Sequence, residues 1–107
     1  MLKVGLVTLH RDKVEAFKAW MAALERRKDE VLETFEAEGT RSEFVAILNN
    51  TDPPVVVYAM EAVDCAKAEE AFKHSAFPID IEHKAVLKEC LSGRAPHEVL
   101  FELCTLR

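Results

Sequence analysis

Glycine is scarce in this chain, whose 107 residues include only Gly5, Gly39 and Gly93. A phosphate-binding loop needs clustered glycines so that backbone N–H groups can approach the phosphate, and these three lie far apart. Ser75 likewise lacks the flanking glycines that a nucleophile elbow requires. The sequence therefore supports neither a Gly-rich nucleotide site nor a Ser-His-Asp hydrolase.

Paired cysteines are also missing. Cys65, Cys90 and Cys104 are odd in number, lie far apart and never form a Cys-x-x-Cys motif. This spacing argues against a disulfide framework, a zinc knuckle and a copper-transfer site. We expect reduced thiols, most of them buried, as is usual for unpaired cysteine.

The chain has neither an excess of positive charge nor a long hydrophobic run. Its net charge is -5, whereas nucleic acid and anionic lipid both attract a positive surface. The apolar run Val-Val-Val-Tyr lacks the stacking rings of an RNA-binding strand. No segment approaches the roughly 20 apolar residues of a membrane span, and the apolar amino-terminal run is too short for a signal peptide. We therefore expect a cytoplasmic protein without nucleic-acid or membrane partners.

The residues that are present predict one folded domain over residues 1–107. Half of them are hydrophobic and 31% are charged, which is typical of a soluble globular chain of this length. Residues 2–9 have the alternation of a strand. Asp12 and Glu15 then form a helix-opening pair, and the helix runs to about Glu38, where Gly39 ends it. Because such a helix would span ~40 Å, we expect a break near Lys28 or an end that projects onto a partner chain.

A hairpin, two short helices and a last strand complete the predicted order. Residues 42–48 and 55–62 read as strands joined by a dense turn signal, and the second, apolar on both faces, belongs inside the sheet. Asp64 is expected to cap a short helix, and Pro78 to begin another that runs to about Ser92 and ends at Gly93. Residues 97–105 alternate as the last strand.

The order β, α, β, β, α, β predicts an α+β, ferredoxin-like fold, in which a four-stranded antiparallel sheet carries its helices on one face. The third strand, and to a lesser degree the first, is nevertheless apolar on both faces. Something must bury the uncovered face, and a second copy of the chain is the simplest candidate. We expect a homodimer packed sheet against sheet, which is the dimeric α+β barrel.

Four fragments of the chain resemble a known group of proteins. They are Trp20-Met21 in the long helix, Arg-Lys-Asp-Glu-Val-Leu-Glu at 27–33, Tyr-Ala-Met-Glu-Ala at 58–62 and Pro-Ile-Asp-Ile-Glu-His at 78–83. Over nearly its whole length the chain is similar to a small bacterial family of unknown function that is related to the dimeric α+β barrel superfamily. Many members of that superfamily are cofactor-free monooxygenases, haem-degrading enzymes or isomerases, with a ligand pocket between helices and sheet. The resemblance thus implies the fold, while the reaction stays open because fold does not determine function.

The stretch from His74 to His83 has the highest density of reactive side chains, with two histidines, a serine and two carboxylates around a proline. Helical spacing with Ile79, Val86 and Cys90 turns only His83 toward the interior. A buried histidine whose pKa lies near neutral pH is a candidate catalytic acid or base. The alternative is a core histidine that bonds a backbone carbonyl.

Four further residues, Trp20, Glu43, Tyr58 and Asp80, are candidate ligand contacts. Glu43 and Tyr58 share a sheet face only in one hairpin register, which the sequence leaves open. Otherwise Glu43 is an edge-strand charge and Tyr58 a core ring. Trp20 borders the apolar stripe of its helix and is a pocket wall, a core residue or a dimer contact. Asp80, in the first turn of a helix, alternatively complements the helix dipole and pairs with Lys84.

Two functions from different classes remain open. The first is an enzyme or binder for a small, largely apolar molecule held between sheet and helices, with His83 as its ionisable group and no cofactor implied. The second is a non-catalytic homodimeric module with a structural or regulatory role. A metal site built from His83, Asp80 and Glu43 has suitable residue types, but no tight spacing supports it.

Overall fold

The computed structural model describes residues 1–105 and shows an α+β fold. Its sheet is antiparallel throughout, with the strands in the order β2-β3-β1-β4. A 3-10 turn at Arg11–Lys13 links the first strand to the first helix. In chain order the elements are β1 (Leu2–Leu9), α1 (Val14–Arg26), α2 (Lys28–Glu38), β2 (Thr40–Leu48), β3 (Val55–Ala62), α3 (Cys65–His74), α4 (Pro78–Cys90) and β4 (Leu91–Arg94).

The predicted break in the long helix is confirmed at Arg27. This residue departs from helical geometry with φ −104° and ψ 33°, and it separates α1 from α2. Its guanidinium group donates to Glu30 at 2.7 Å and, across to α4, to Glu82 at 2.8 Å. Bidentate pairing of arginine with carboxylates is geometrically specific, so this network ties the corner between α1 and α2 to α4.

Three of the predicted helix termini are confirmed, and the predicted start of the first helix is wrong. Gly39 follows α2 in the left-handed region with φ 77°, where glycine avoids the strain of a side chain. Asp64 accepts a hydrogen bond from the Lys67 N–H at 3.1 Å, and Pro78 is the first residue of α4. Asp12 does not cap α1, because the 3-10 turn moves the helix start to Val14 and leaves it without a side-chain cap.

The last strand differs from the prediction. The fourth helix ends at Cys90 and not near Ser92, and β4 occupies Leu91–Arg94, while residues 95–105 have no regular secondary structure. The cause is tertiary: the His10 N–H donates to the Cys90 carbonyl at 2.9 Å, and the next residue already lies opposite Leu9 of β1. Pairing with β1 therefore takes the chain out of the helix before Gly93 is reached.

The helices cover one face of the sheet. Leu9 of β1 and Val56 of β3 pack there against Phe17 of α1 and Cys90 at the end of α4. A second cluster, farther along β3, joins Met60 and Ala62 to Cys65 and Ala68 of α3. The small groups of α3 bring this helix close to the strand, as their spacing suggested. Cys65 and Cys90 are buried, as expected of unpaired cysteines.

The opposite face of the sheet is apolar, and several of its side chains are exposed. Exposure reaches 61% at Phe44 and 55% at Leu2. Two cross-strand rows of apolar residues span β2, β3 and β1 on this face, namely Ala46–Val57–Leu6 and Phe44–Ala59–Val4. Contiguous exposed apolar surface of this kind commonly marks an interaction site. Within residues 1–105, none of the helices combines the length and hydropathy that crossing a membrane would take.

Candidate functional site

A cavity of about 320 Å³ lies between the helix-covered face of the sheet and the helices. Ligand sites typically combine apolar walls with a few convergent polar groups, and this cavity has both. All four helices and all four strands contribute to its lining. Its apolar walls include Val7, Phe17, Met21, Leu24, Val31, Phe35, Val45, Val56, Met60, Phe72, Ile79 and Leu87.

Four of the five residues predicted from the sequence line this cavity: Glu43, Tyr58, Asp80 and His83. They come from β2, β3 and α4, so they are brought together by tertiary packing. Trp20 is not among the lining residues, but its indole N–H donates to His83, which is. The cavity therefore collects the ionisable groups that the sequence singled out.

His83 is held by two aromatic rings. The Trp20 Nε1–H donates to His83 Nδ1 at 2.6 Å, and the two rings stack with 6.0 Å between their centroids. Phe72 meets the imidazole edge-on at 5.5 Å. An Nδ1 that accepts a hydrogen bond carries no proton, so the neutral ring bears its proton on Nε2. The bonding partner is an indole and not the backbone carbonyl of the sequence-based alternative.

Burial lowers the pKa of His83, an effect that the negative charge of Asp80 only partly offsets. Desolvation disfavours the charged imidazolium, and the Trp20 contact leaves no room for a proton on Nδ1. His83 is therefore a neutral hydrogen-bond donor near neutral pH.

The hairpin register places Glu43 and Tyr58 on the same face. Glu43 lies opposite Met60 and Tyr58 opposite Val45, so the two are diagonal neighbours on the side covered by helices. The Tyr58 hydroxyl donates to Glu43 Oε2 at 3.2 Å. Its ring lies over Gly5 of β1, where an added Cβ would come 4.0 Å from the ring. The register that the sequence left open is the one that builds a carboxyl–phenol pair.

Glu43 is a carboxylic acid that titrates near neutral pH. Part of its surface is exposed to solvent, but desolvation by the surrounding atoms raises its pKa to about 7. The hydrogen bond from Tyr58 lowers this pKa, whereas the charges of Glu38 and Asp80 raise it further. Burial and the Glu43 charge also raise the pKa of Tyr58, which stays protonated. A group with such a pKa can accept or release a proton under physiological conditions.

Asp80 is buried, with 6% of its surface exposed, and its Oδ2 has no hydrogen-bond partner among the described residues. The predicted pairing with Lys84 is wrong. The Lys84 ammonium instead donates to the carbonyls of Lys73 and Ser75, each at 3.2 Å. Those carbonyls terminate α3, so the lysine closes the turn before α4, and Asp80 lines the cavity without it.

Glu38 is a cavity residue that sequence reasoning missed. It is the last residue of α2 and accepts a hydrogen bond from Thr40 Oγ1 at 2.8 Å. Burial raises its pKa, the Thr40 bond opposes the rise and the charge of Asp80 adds to it. The signal available in the sequence was an acidic residue at a helix carboxyl end, where the helix dipole opposes negative charge. Such a position suggests a role other than helix stability.

The comparisons with known proteins identify a family and no activity. A model described as a family of unknown function, DUF6176, matches residues 2–107. The chain belongs to this family. Neither the curated proteins nor the solved structures contain a match to it. The chemistry of the DUF6176 chain must therefore be argued from its own cavity.

Replacing Trp20 with Phe should raise the pKa of His83. The substitution keeps a ring in contact but removes the N–H donor, so Nδ1 becomes free to accept a proton. Long-range ¹H–¹⁵N NMR should show the Nε2–H tautomer in the wild type, and a pH titration of both proteins should show the shift. The lost hydrogen bond should also cost about 1 kcal/mol of unfolding free energy. An unchanged titration of His83 in Trp20→Phe would contradict this account of the pair.

Glu43→Gln should change the pH dependence of stability. Because the pKa of Glu43 is raised to about 7 in the fold, the folded state holds this proton more tightly than the unfolded chain between about pH 4.5 and pH 7. The wild type should therefore lose stability relative to Glu43→Gln as pH rises through this window, and the difference should be constant above it. Urea unfolding at pH 5 and pH 8 measures the effect, and Glu36→Gln, an exposed substitution outside the cavity, is the control. A pH-independent difference would show that Glu43 titrates normally.

Proposed function

We propose that this DUF6176 protein binds a small, largely apolar molecule in the 320 Å³ cavity and exchanges a proton with it. One observation carries the proposal: the apolar cavity collects a neutral histidine, a carboxyl group with a pKa of about 7 and a buried carboxylate without a partner. Pairs of titratable groups whose pKa values diverge from their usual ranges are typical of sites that use acid–base chemistry.

The roles of the two principal groups follow from their hydrogen bonds. His83 Nδ1 is occupied by the Trp20 N–H, so the imidazole presents Nε2–H as a donor. Glu43, with its carboxyl group poised near neutral pH, is the better proton acceptor. In this proposal Glu43 removes a proton from the bound molecule and His83 donates a hydrogen bond to the negative charge that develops. Tyr58 orients Glu43, and Trp20 is a positioning residue that acts through His83.

We further propose that the chain is a ferredoxin-like domain that dimerises as an α+β barrel. The strand order β2-β3-β1-β4 and the helices on one face agree with that fold. The uncovered face exposes Phe44, Leu2 and Val4, which a second sheet would bury. The exposed apolar residues Val99, Leu100 and Phe101 after β4 would find cover on the same partner. A bacterial origin and a cytoplasmic location stay predictions from the sequence.

The alternative function is a non-catalytic homodimeric module. The exposed apolar face of the sheet favours this function, because dimerisation through that face does not require the cavity to bind a ligand. In that case the bond between Trp20 and His83 only joins α1 to α4, and Glu43 with Tyr58 only ties β2 to β3. The two functions differ in one observable, because only the first requires the cavity to take up a molecule.

A panel of small apolar molecules with one polar group should raise the melting temperature of the wild type. Gly5→Ala should weaken this shift without unfolding the protein, because Gly5 lines the cavity and the added Cβ meets no atom closer than 4.0 Å. His83→Gln should weaken the shift and leave the fold intact. If no molecule stabilises the wild type and both His83→Gln and His83→Ala lose several degrees, the non-catalytic module is the correct function.

Light scattering on the purified chain should give a mass of twice 12.1 kDa. Phe44→Ser should shift the population toward single chains, because Phe44 is the most exposed large side chain of the apolar sheet face and its burial contributes about 1.5–3 kcal/mol per copy. Leu32→Ser is the matched control, since Leu32 is 57% exposed on α2 and away from that face. A single-chain mass for the wild type at micromolar concentration would contradict the dimer.

A further inference from the structure

The carboxylates of the cavity have no cationic counterpart in its lining. Glu38, Glu43, Glu69 and Asp80 face it, and no lysine or arginine stands among the described residues that line it. Of these four, Glu69 is paired with a cation, the ammonium group of Lys3. The charge of Asp80 raises the pKa of both Glu38 and Glu43, so the three remaining carboxyl groups lie close enough to oppose one another's ionisation.

The buried carboxylate of Asp80 is a second observation, independent of the cluster of acidic residues, that indicates a ligand. The residue is more than nine-tenths buried, and its Oδ2 is shielded from solvent without a hydrogen-bond partner among residues 1–105. Leaving a buried acceptor unsatisfied is costly, and the cost is greater for a charged group. The nearby cation, Lys84, is committed to the carbonyls of Lys73 and Ser75.

We propose that the molecule bound in the cavity is an organic cation, a primary or secondary amine on an apolar body, whose ammonium group pairs with the Asp80 carboxylate. This inference rests on the proposed function, since it names the class of molecule that the cavity takes. The ammonium group supplies both the hydrogen bond and the charge that Asp80 lacks, and Glu43 lies on the same cavity to share it. The apolar body packs on Phe17, Met21 and Phe72.

Other classes of ligand fit this arrangement less well. An anion would enter a site lined by several carboxyl groups, against their charge. A neutral alcohol satisfies the hydrogen bond of Asp80 but leaves its buried charge uncompensated. A metal ion needs several ligands in tight geometry, and no group of three or more His, Cys, Asp or Glu side chains within residues 1–105 is arranged to hold one. An amine on an apolar body complements both features, because its body packs on the apolar walls and its ammonium group pairs with the carboxylate.

Three probes of nearly equal size separate these classes: 2-phenylethylamine, 2-phenylethanol and 3-phenylpropionate. Their affinities for the full chain are measured by NMR titration, with the resonances of His83 and Phe72 as reporters of the cavity. The amine should bind about 10-fold tighter than the alcohol, as expected for a charge-assisted hydrogen bond, and the carboxylate should bind most weakly.

Asp80→Asn should remove the preference for the amine and leave the affinity for 2-phenylethanol within about 2-fold, because the amide keeps the volume but not the charge. Should Asp80→Asn fail to fold, Glu43→Gln is a second variant, and it should reduce the preference for the amine without abolishing it, because Asp80 is still present. Glu82→Gln is the matched control, since it removes a carboxylate from the same helix at a position paired with Arg27 outside the cavity. It should leave the three affinities unchanged.

The outcomes separate this inference from the proposed function. Equal affinities for amine and alcohol, or an amine preference that survives in Asp80→Asn, would contradict the inference that the ligand is an organic cation. The proposal that the cavity binds small molecules would still stand. Binding of 3-phenylpropionate in preference to both would overturn it as well. If none of the probes moves the cavity resonances at millimolar concentration, the proposed function fails together with the inference.

Discussion

The register between β2 and β3 is the constraint on which the site depends. Side chains alternate between the two faces of a sheet, so a slip of one residue would exchange the sets on either side. In the observed register Glu43 and Tyr58 face the helices, while Phe44 and Val57 face outward. The same pairing therefore places the ionisable pair in the cavity and the apolar rows on the open face. The candidate site and the candidate interface are two consequences of one hairpin.

The cavity combines strong local order with uncompensated charge. Aromatic contacts and the Trp20 N–H hold His83 in one orientation and one tautomer, and Tyr58 holds Glu43. Asp80, by contrast, is buried without a partner for Oδ2. A fold seldom retains an unsatisfied buried carboxylate unless it serves a purpose beyond stability. This contrast between fixed groups and one unpaired charge is what makes a bound cation the natural complement of the site.

Local sequence signals were reliable where the cause of a structural feature is local. A left-handed glycine after α2, a proline at the start of α4 and an aspartate cap before α3 each act within a few residues, and all three were predicted. The break at Arg27 followed from helix length against domain size. The start of β4 was not predicted, because it depends on pairing with β1, more than 80 residues earlier in the chain. Glu38 was missed for the same reason, since only the packing of α2 against α4 brings it near Asp80.

The sequence by itself determined the α+β order of elements, the helix boundaries with local caps and the inward direction of His83 on its helix. Helical periodicity and turn chemistry are properties of neighbouring residues, so they can be read without the fold. Only the tertiary structure decided that Trp20 bonds His83, that Glu43 bonds Tyr58 and that Asp80 is left without Lys84. In each case several side chains distant in sequence could pair with the group. Which of them does so depends on which side chains the packing brings within hydrogen-bonding distance.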